Sequence, residues 1–273
     1  MSARIELFLQ EDIPNGDKTT EYTIDHREII VAEIQAVDNM VFAGCEVIPH
    51  CFDEETIVTL LVKDGMELKS GEVIATISGN ADSVLIRERI MLNLIQRLCG
   101  IATQTKVYVE LAKPYNVKIL DTRKTTPGLR LFEKYAVTCG GGFNHRLNLS
   151  EGILIKDNHL KTMGSVSTAV QNIRKNNSSL PIELEVDHFE QIHEGLSVGV
   201  EGFLLDNMSP QKICEAVSII RGHVGGQSIF IEASGGIKLN NINGYLDTGI
   251  NAISIGALTH QVNSKDIRLE FKA

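Results

Sequence analysis

The stretch GFLLDNMSPQKICEAVSIIRGHVGGQSIFIEASGG, residues 202–236, sets the fold class. It places two apolar runs, GFLLDN (202–207) and SIFIEAS (228–234), on either side of a helical segment over Pro210–Arg221. Near-continuous apolar strands are buried on both faces, and strands joined by helices build a parallel sheet. The pattern extends both ways along the chain. VKILD (117–121), GILIKD (152–157), IELEVD (182–187) and NAISIGA (251–257) are further short strands, and Met163–Lys175 is a further helical stretch. Six or seven such units favour a β/α barrel over an open sheet.

Five of these strands end in polar residues: Asp121, Lys156-Asp157, Glu185 and Asp187, Asp206-Asn207, and Glu232 and Ser234. A single charge at a strand end reads as a cap or a solvated residue. The same ending on five strands matters more, because the catalytic face of a β/α barrel lies at the C-terminal ends of its strands.

Before Lys113-Pro114-Tyr115-Asn116 the pattern is different, and that segment marks a boundary between domains at 1–115 and 116–273. Glu28–Val37 and Val58–Val62 read as strands. LLVKDGMELKSGEVIATISG, with turns at Asp64-Gly65 and Ser70-Gly71, reads as consecutive hairpins. A lipoyl-type carrier hairpin is set aside, since no lysine sits at a hairpin tip in the expected surroundings. Ile86–Leu98 has helical spacing, with Arg89, Asn93, Gln96 and Arg97 on one polar face. By spacing alone Arg89 is a solvated helix charge.

Bulk properties exclude several classes. At 273 residues, 43% hydrophobic and 22% charged, the chain fits a soluble globular protein with one large barrel or two ordinary domains. No run approaches the ~18 apolar residues of a membrane span. The opening MSARIELFLQEDIPNGD carries Glu6 and no apolar core, so no secretory signal is expected. Five scattered cysteines without a Cys-x-x-Cys pair argue for reduced thiols in the cytoplasm, and against a disulfide framework or a zinc site. A net charge of −9 makes nucleic acid an unsuitable partner.

Against that acidic background, Asp121–Lys161 carries seven Lys/Arg and four Asp/Glu, a local charge of +3. A basic island in an acidic protein is a candidate anion site. Arg123, Lys124, His145, Arg146 and Lys156 would converge over the barrel mouth, where arginine forks and lysine point charges suit carboxylates and phosphates. Each alone has a bland reading: His145 as a satisfied loop histidine, Lys156 as the partner of Asp157 or Glu185. The late glycines, Ser234-Gly235-Gly236 and Gly256-Ala257, follow successive strands, as phosphate-holding loops do in barrels. A tight turn is their plain alternative. Glu185 and Asp206, on neighbouring strand ends, suit sugar hydroxyls or Mg²⁺ held through water. Phosphate at one end, acids in the middle and cations at the other describe a phosphoribosyl transferase. A class I aldolase-like lyase with a Schiff base on Lys156 explains the lysine and the phosphate loops, but not the dense Arg/His set.

The chain resembles the quinolinate phosphoribosyltransferase family, the decarboxylating nicotinate-nucleotide pyrophosphorylases of NAD biosynthesis. EDIPNGDKTT, ERIMLNLIQRLCGIATQT, DTRKTTPGLRLFEKYAV…CGGGFNHRLNLSEGILIKDNH, IELEVD, LLDN, EASGGI and SIGALTH carry the resemblance almost end to end. It implies an N-terminal α/β sandwich and an incomplete α/β barrel, with a C-terminal tail that packs back on the first domain. It also implies a homodimer, open to higher assembly, in which each active site is completed by the partner's N-terminal domain. The implied substrates are quinolinate and 5-phosphoribosyl 1-diphosphate, with Mg²⁺ as cofactor.

By the same resemblance Arg89, sent across the dimer, joins Arg123, His145, Arg146 and Lys156 on the quinolinate carboxylates. Lys124 lies near the diphosphate, Glu185 and Asp206 bind the ribose and help place Mg²⁺, and Ser234, Gly235, Gly256 and His260 close the phosphate end. Lys124, Lys156, Glu185 and Asp206 form the implied catalytic set. Ile13-Pro14-Asn15, Phe143 and Asn148-Leu149-Ser150 depart from the family pattern, the last two flanking His145-Arg146 and bearing on access. The rival within the fold is a paralogous group of molybdenum transport operons, which shares GGGF…HRL but lacks the TRKTTPG and IKDNH wording kept here.

Overall fold

The structure, a computed structural model, describes residues 1–25, 28–176 and 179–272. The chain opens with α1 (Ser2–Asp12), α2 (Lys18–Thr23), β1 (Ile29–Ala36), β2 (Met40–Val41), α3 (Ile48–Cys51), β3 (Ile57–Leu60), β4 (Glu67–Leu68), β5 (Val73–Asn80) and α4 (Ala81–Ala112). It continues through β6 (Lys118–Leu120), α5 (Arg130–Cys139), β7 (Ile153–Ile155), α6 (Asp157–Met163), α7 (Val166–Lys175), β8 (Ile182–Val186), α8 (Phe189–Val198) and β9 (Gly202–Asp206). It closes with α9 (Pro210–Gly222), β10 (Phe230–Ser234), α10 (Asn243–Leu246), β11 (Ala252–Ser254), α11 (Ala257–His260) and β12 (Ile267–Phe271). Two compact units result: Met1–Val107 with Thr125–Gly142 and Leu258–Ala273, and Tyr108–Lys124 with Phe143–Ala257.

In the first unit, β1 lies between β12 and β5, and β5 also pairs with β3, all antiparallel. Alternation in β1 buries Ala32, Ile34 and Ala36 on one face. The expected run of consecutive hairpins is not what forms. Asp64-Gly65 and Ser70-Gly71 do turn the chain, with both glycines at positive φ, but β4 pairs with β2 while β3 pairs directly with β5. Asp64 is the reason. Its Oδ1 accepts the amides of Gly44 and Cys45 at 2.8 and 3.0 Å, and its Oδ2 accepts the Tyr135 hydroxyl at 2.5 Å, so the turn is anchored beside β2.

Helix α4 runs well past the expected Ile86–Leu98. Met91, Ile95, Leu98 and Ala102 are buried at helical spacing, and Arg89 and Asn93 stay exposed. Gly100 persists inside the helix because a Cβ there would sit 2.4 Å from the Asn263 carbonyl oxygen.

The second unit holds a six-stranded parallel sheet in the order β6-β11-β10-β9-β8-β7. Its edge strands β6 and β7 share no ladder among the described residues, so this is an incomplete α/β barrel. A parallel bridge from Leu120 to Phe143 extends the β6 edge. Ser209 caps α9 through the Lys212 amide. The helical stretch expected from Met163 is two helices: Gly164, at φ +86°, ends α6, and Ser165 caps α7 through the Thr168 amide at 3.1 Å. The pleat sets the inside of the barrel. On β8, Ile182, Leu184 and Val186 are buried, and Glu183 and Glu185 alternate with them. No described helix is long and apolar enough to cross a membrane.

Candidate active site

A cavity of about 500 Å³ opens at the C-terminal ends of the second unit's strands. Each strand contributes where its last residues alternate inward. Thr122, Arg123 and Lys124 follow β6, Leu154 and Lys156 come from β7, and Glu185 from β8. Leu204, Asp206 and Asn207 come from β9, Glu232, Ser234, Gly235 and Gly236 from β10, and Ser254 from β11, with His145 and Arg146 added from the loop before β7.

Nine residues expected from the sequence therefore meet here: Arg123, Lys124, His145, Arg146, Lys156, Glu185, Asp206, Ser234 and Gly235. Arg89, Gly256 and His260 are not among the lining residues. Arg89 is exposed on α4, Gly256 follows β11, and His260 is exposed at the end of α11. Thr122 and Ser254 were not singled out from sequence, Gly236 was named only as part of the phosphate-loop reading, and Asn207 and Glu232 were noted only as strand ends. Period-two alternation back from Ser234 would have found Glu232. Phe143, expected to bear on access, is half exposed and lies under Lys118, whose Nζ is 5.3 Å from its ring centroid, outside this cavity.

The cationic side of the cavity is built on Asp121, which is fully buried. Its Oδ1 accepts the His145 amide at 2.9 Å and its Oδ2 accepts the Asn144 side-chain amide at 2.6 Å, so this strand-end charge positions the HR pair. Arg146 Nη1 donates to the Gly152 carbonyl at 2.7 Å. Burial, and then the neighbouring Arg123, pushes the Arg146 guanidinium below its usual range. Two guanidiniums held together in a partly desolvated cleft favour an anion between them. Across the mouth Lys156 Nζ pairs with Glu185 Oε2.

The opposite side is shaped by backbone. Asn207, at φ +53°, donates its amide to the Ser234 carbonyl at 2.9 Å. Gly235, at φ +91°, packs so closely that a Cβ would lie 2.3 Å from Asn207 Oδ1. Glycine is required there, and Gly235 and Gly236 both line the cavity.

For a hard divalent cation, Glu185 and Asp206 offer oxygen donors on the same wall, which fits Mg²⁺ held through one or two carboxylates and a ligand's phosphates. A tighter group lies deeper: His145, Glu183 and Glu232 have ligand atoms within 4.8 Å of one another. His145 Nδ1 accepts the Arg146 amide at 2.8 Å, so its ring proton sits on Nε2, the atom a metal would need. None of the lining residues is a cysteine, and burial pushes the Cys51, Cys99 and Cys139 thiols up to about 12.

The family description "quinolinate phosphoribosyl transferase, C-terminal domain" matches residues 101–270, and the corresponding N-terminal domain matches residues 17–99. The chain belongs to the quinolinate phosphoribosyltransferase family. Relatives agree. The probable carboxylating nicotinate-nucleotide pyrophosphorylase of Bacillus subtilis is 42% identical over 267 residues, covering 96% of this chain and 90% of that protein. The carboxylating nicotinate-nucleotide pyrophosphorylase of Mycobacterium leprae is 39% identical over 272 residues, covering 97% and 95%. The nicotinate-nucleotide pyrophosphorylase structure from Ehrlichia chaffeensis superposes with a TM-score of 0.92 at 36% identity, covering 100% of this chain and 98% of that one. Quinolinate phosphoribosyltransferase membership thus rests on the whole length of the chain, with both domain types in order.

Proposed function

We propose that this pentosyltransferase moves phosphoribose from 5-phosphoribosyl 1-diphosphate to quinolinate with decarboxylation, giving nicotinate mononucleotide, pyrophosphate and CO₂ for NAD biosynthesis. The observation that carries the reading is that the Arg123–Arg146 pair and the Ser234-Gly235-Gly236 loop line one cavity, the first suited to a dicarboxylate and the second to a phosphate.

Arg123, Arg146 and Lys156 hold the two quinolinate carboxylates, with His145 behind them, and Arg89 joins them from the partner of a homodimer. Lys124 takes the diphosphate, Glu185 and Asp206 orient the ribose, and Ser234, Gly235, Gly256 and His260 hold the 5-phosphate. Glu185 and Asp206 would hold Mg²⁺, which would supply charge neutralisation for the diphosphate. The quinolinate nitrogen bonds to ribose C1 as the C1–O bond to pyrophosphate breaks and its electron pair leaves with that oxygen. Positive charge gathers on the sugar and negative charge on the leaving group, so positioning and preorganised charge do most of the work. The C2 carboxylate then lies beside a cationic ring. Its C–C bond breaks to release CO₂, and the electron pair left on C2 takes a proton from Lys156 or a bound water. The scattered free cysteines suit a cytoplasmic setting.

The aldolase reading is not favoured, since Lys156 pairs with Glu185 rather than standing in an apolar pocket. The test is turnover with phosphoribosyl diphosphate and Mg²⁺, following CO₂ and pyrophosphate. Quinolinate should be consumed, and equal or better use of nicotinate would overturn the substrate assignment.

A further inference from the structure

The layer beneath the catalytic cavity carries a group that the reaction as described does not use. His145, Arg146, Leu154 and Glu232 line both that cavity and a second one of about 400 Å³ below it, whose walls include Phe143, Ile182 and Phe230. Glu232 is fully buried in this shared layer, and neither of its oxygens has a well-formed hydrogen bond. Glu183 Oε1 is in the same condition. Between the two carboxyl groups stands one ring atom: His145 Nε2, 3.3 Å from Glu183 Oε2 and 3.4 Å from Glu232 Oε2.

The His145 ring has a fixed orientation, because Nδ1 accepts the Arg146 main-chain amide at 2.8 Å. Only Nε2 then carries hydrogen, and a single N–H faces two carboxyl groups. We propose that Glu232 is a positioning residue of the active site, acting through His145 to hold the main chain of Arg146. The reading rests on the proposed reaction for its link to substrate, but its geometry is a property of the ligand-free protein.

One ring N–H lies between two carboxyl groups, so the charge on those groups decides where the ring sits. Burial foremost, and then the charge of Glu183, pushes the Glu232 carboxyl up to about 8. The groups facing it from neighbouring elements are Glu183 on β8, His145 and Arg146 before β7, Lys156 after β7, Asp206 on β9 and the Ser254 hydroxyl on β11. As a neutral acid, Glu232 leaves the single Nε2–H to the Glu183 carboxylate, and Nδ1 stays on the Arg146 amide. Once ionised, it sets a second carboxylate beside Glu183 with one ring N–H to share between them, and their repulsion turns the ring. A turned ring withdraws Nδ1 from the Arg146 N–H and dislodges Arg146 from its place over the cavity.

The experiment compares wild type, Glu232→Gln and Glu232→Leu. Glutamine keeps the shape and neutrality of the protonated acid, and leucine keeps only bulk. The first readout needs no turnover: ¹⁵N shifts of the His145 ring, assigned by their loss in His145→Asn. In wild type the ring should be the neutral Nε2–H tautomer at pH 7 and its signals should move with a midpoint near pH 8. In Glu232→Gln that movement should vanish. The second readout is kinetic. KM for quinolinate should rise above pH 8 in wild type and stay flat in Glu232→Gln, and Glu232→Leu should raise it about tenfold at pH 7 with a smaller change in kcat. An Nδ1–H tautomer in wild type, or the same ring titration in Glu232→Gln, overturns the proposal whatever the enzyme turns over. Equal KM for all three proteins, each checked for an intact melting transition, overturns it too. Correct ring behaviour without quinolinate turnover would instead count against the substrate assignment.

Discussion

Lys156 and Glu185 form an ion pair across the ends of neighbouring strands β7 and β8, at the mouth of the cavity. Each is assigned to a different substrate, so the pair must open as both ligands enter. Lys156→Ala should raise KM chiefly for quinolinate and Glu185→Gln chiefly for phosphoribosyl diphosphate, each lowering kcat/KM by about 10²-fold or more. Because the residues touch, the double variant should fall short of the product of the single effects. Additive losses in steady-state kinetics would argue that the ion pair is incidental.

Arg123 and Arg146 repel one another at the cavity, and a dicarboxylate would relieve that repulsion. Replacing either by lysine should still weaken quinolinate binding about tenfold or more, because a point charge cannot reproduce a bidentate fork. Calorimetric titration with quinolinate checks this. Phthalate, which keeps both carboxylates and lacks the ring nitrogen, should bind competitively.

Gly235→Ala is expected to damage the phosphate end in two ways. It strains a residue at φ +91° and drives a Cβ to 2.3 Å from Asn207 Oδ1. Stability should fall by about 1–3 kcal/mol, and KM for phosphoribosyl diphosphate should rise. Gly71→Ala is the control: the φ is also +91°, but nothing lies within 4 Å, so it should cost about 1 kcal/mol and leave KM unchanged.

Arg97 is the stability counterpart. Its Nη2 donates to Glu133 Oε1 at 2.6 Å and to the Thr259 carbonyl at 2.8 Å, while Glu133 is wholly buried. Arg97→Met leaves a carboxylate in the core and should destabilise by about 3–5 kcal/mol. Urea denaturation should show the loss, and Arg97→Met combined with Glu133→Leu should recover most of it.

The shared-site arrangement is tested by mixing two inactive proteins. Arg89→Ala and Arg146→Ala chains, dissociated and reassociated together, should regain activity, since a hybrid dimer has one site in which both arginines are intact. Failure despite demonstrated hybrid formation would mean that Arg89 does not serve a partner's site.

The strands of the parallel sheet, most of the helices between them and the charges at strand ends are legible in the sequence. Those features follow from local periodicity and from which residues tolerate burial. It also carried the long motifs that mark the family, from DTRKTTPG to IKDNH. Tertiary structure alone decided which strand-end charges share a site. Asp121, Glu185 and Asp206 look alike in sequence, yet Asp121 is buried as the anchor of the His145 loop and the other two line the cavity. Likewise β4 pairs with β2, because Asp64 captures amides about twenty residues away. Glu232 is the sharpest case. Its identity is legible in EASGG, but its protonation depends on full burial and on Glu183 and His145, residues 49 and 87 positions away that only the closing of the sheet brings to it. Local pattern fixes what a segment can form, whereas desolvation and long-range charge, which set chemistry, exist only once distant segments have packed.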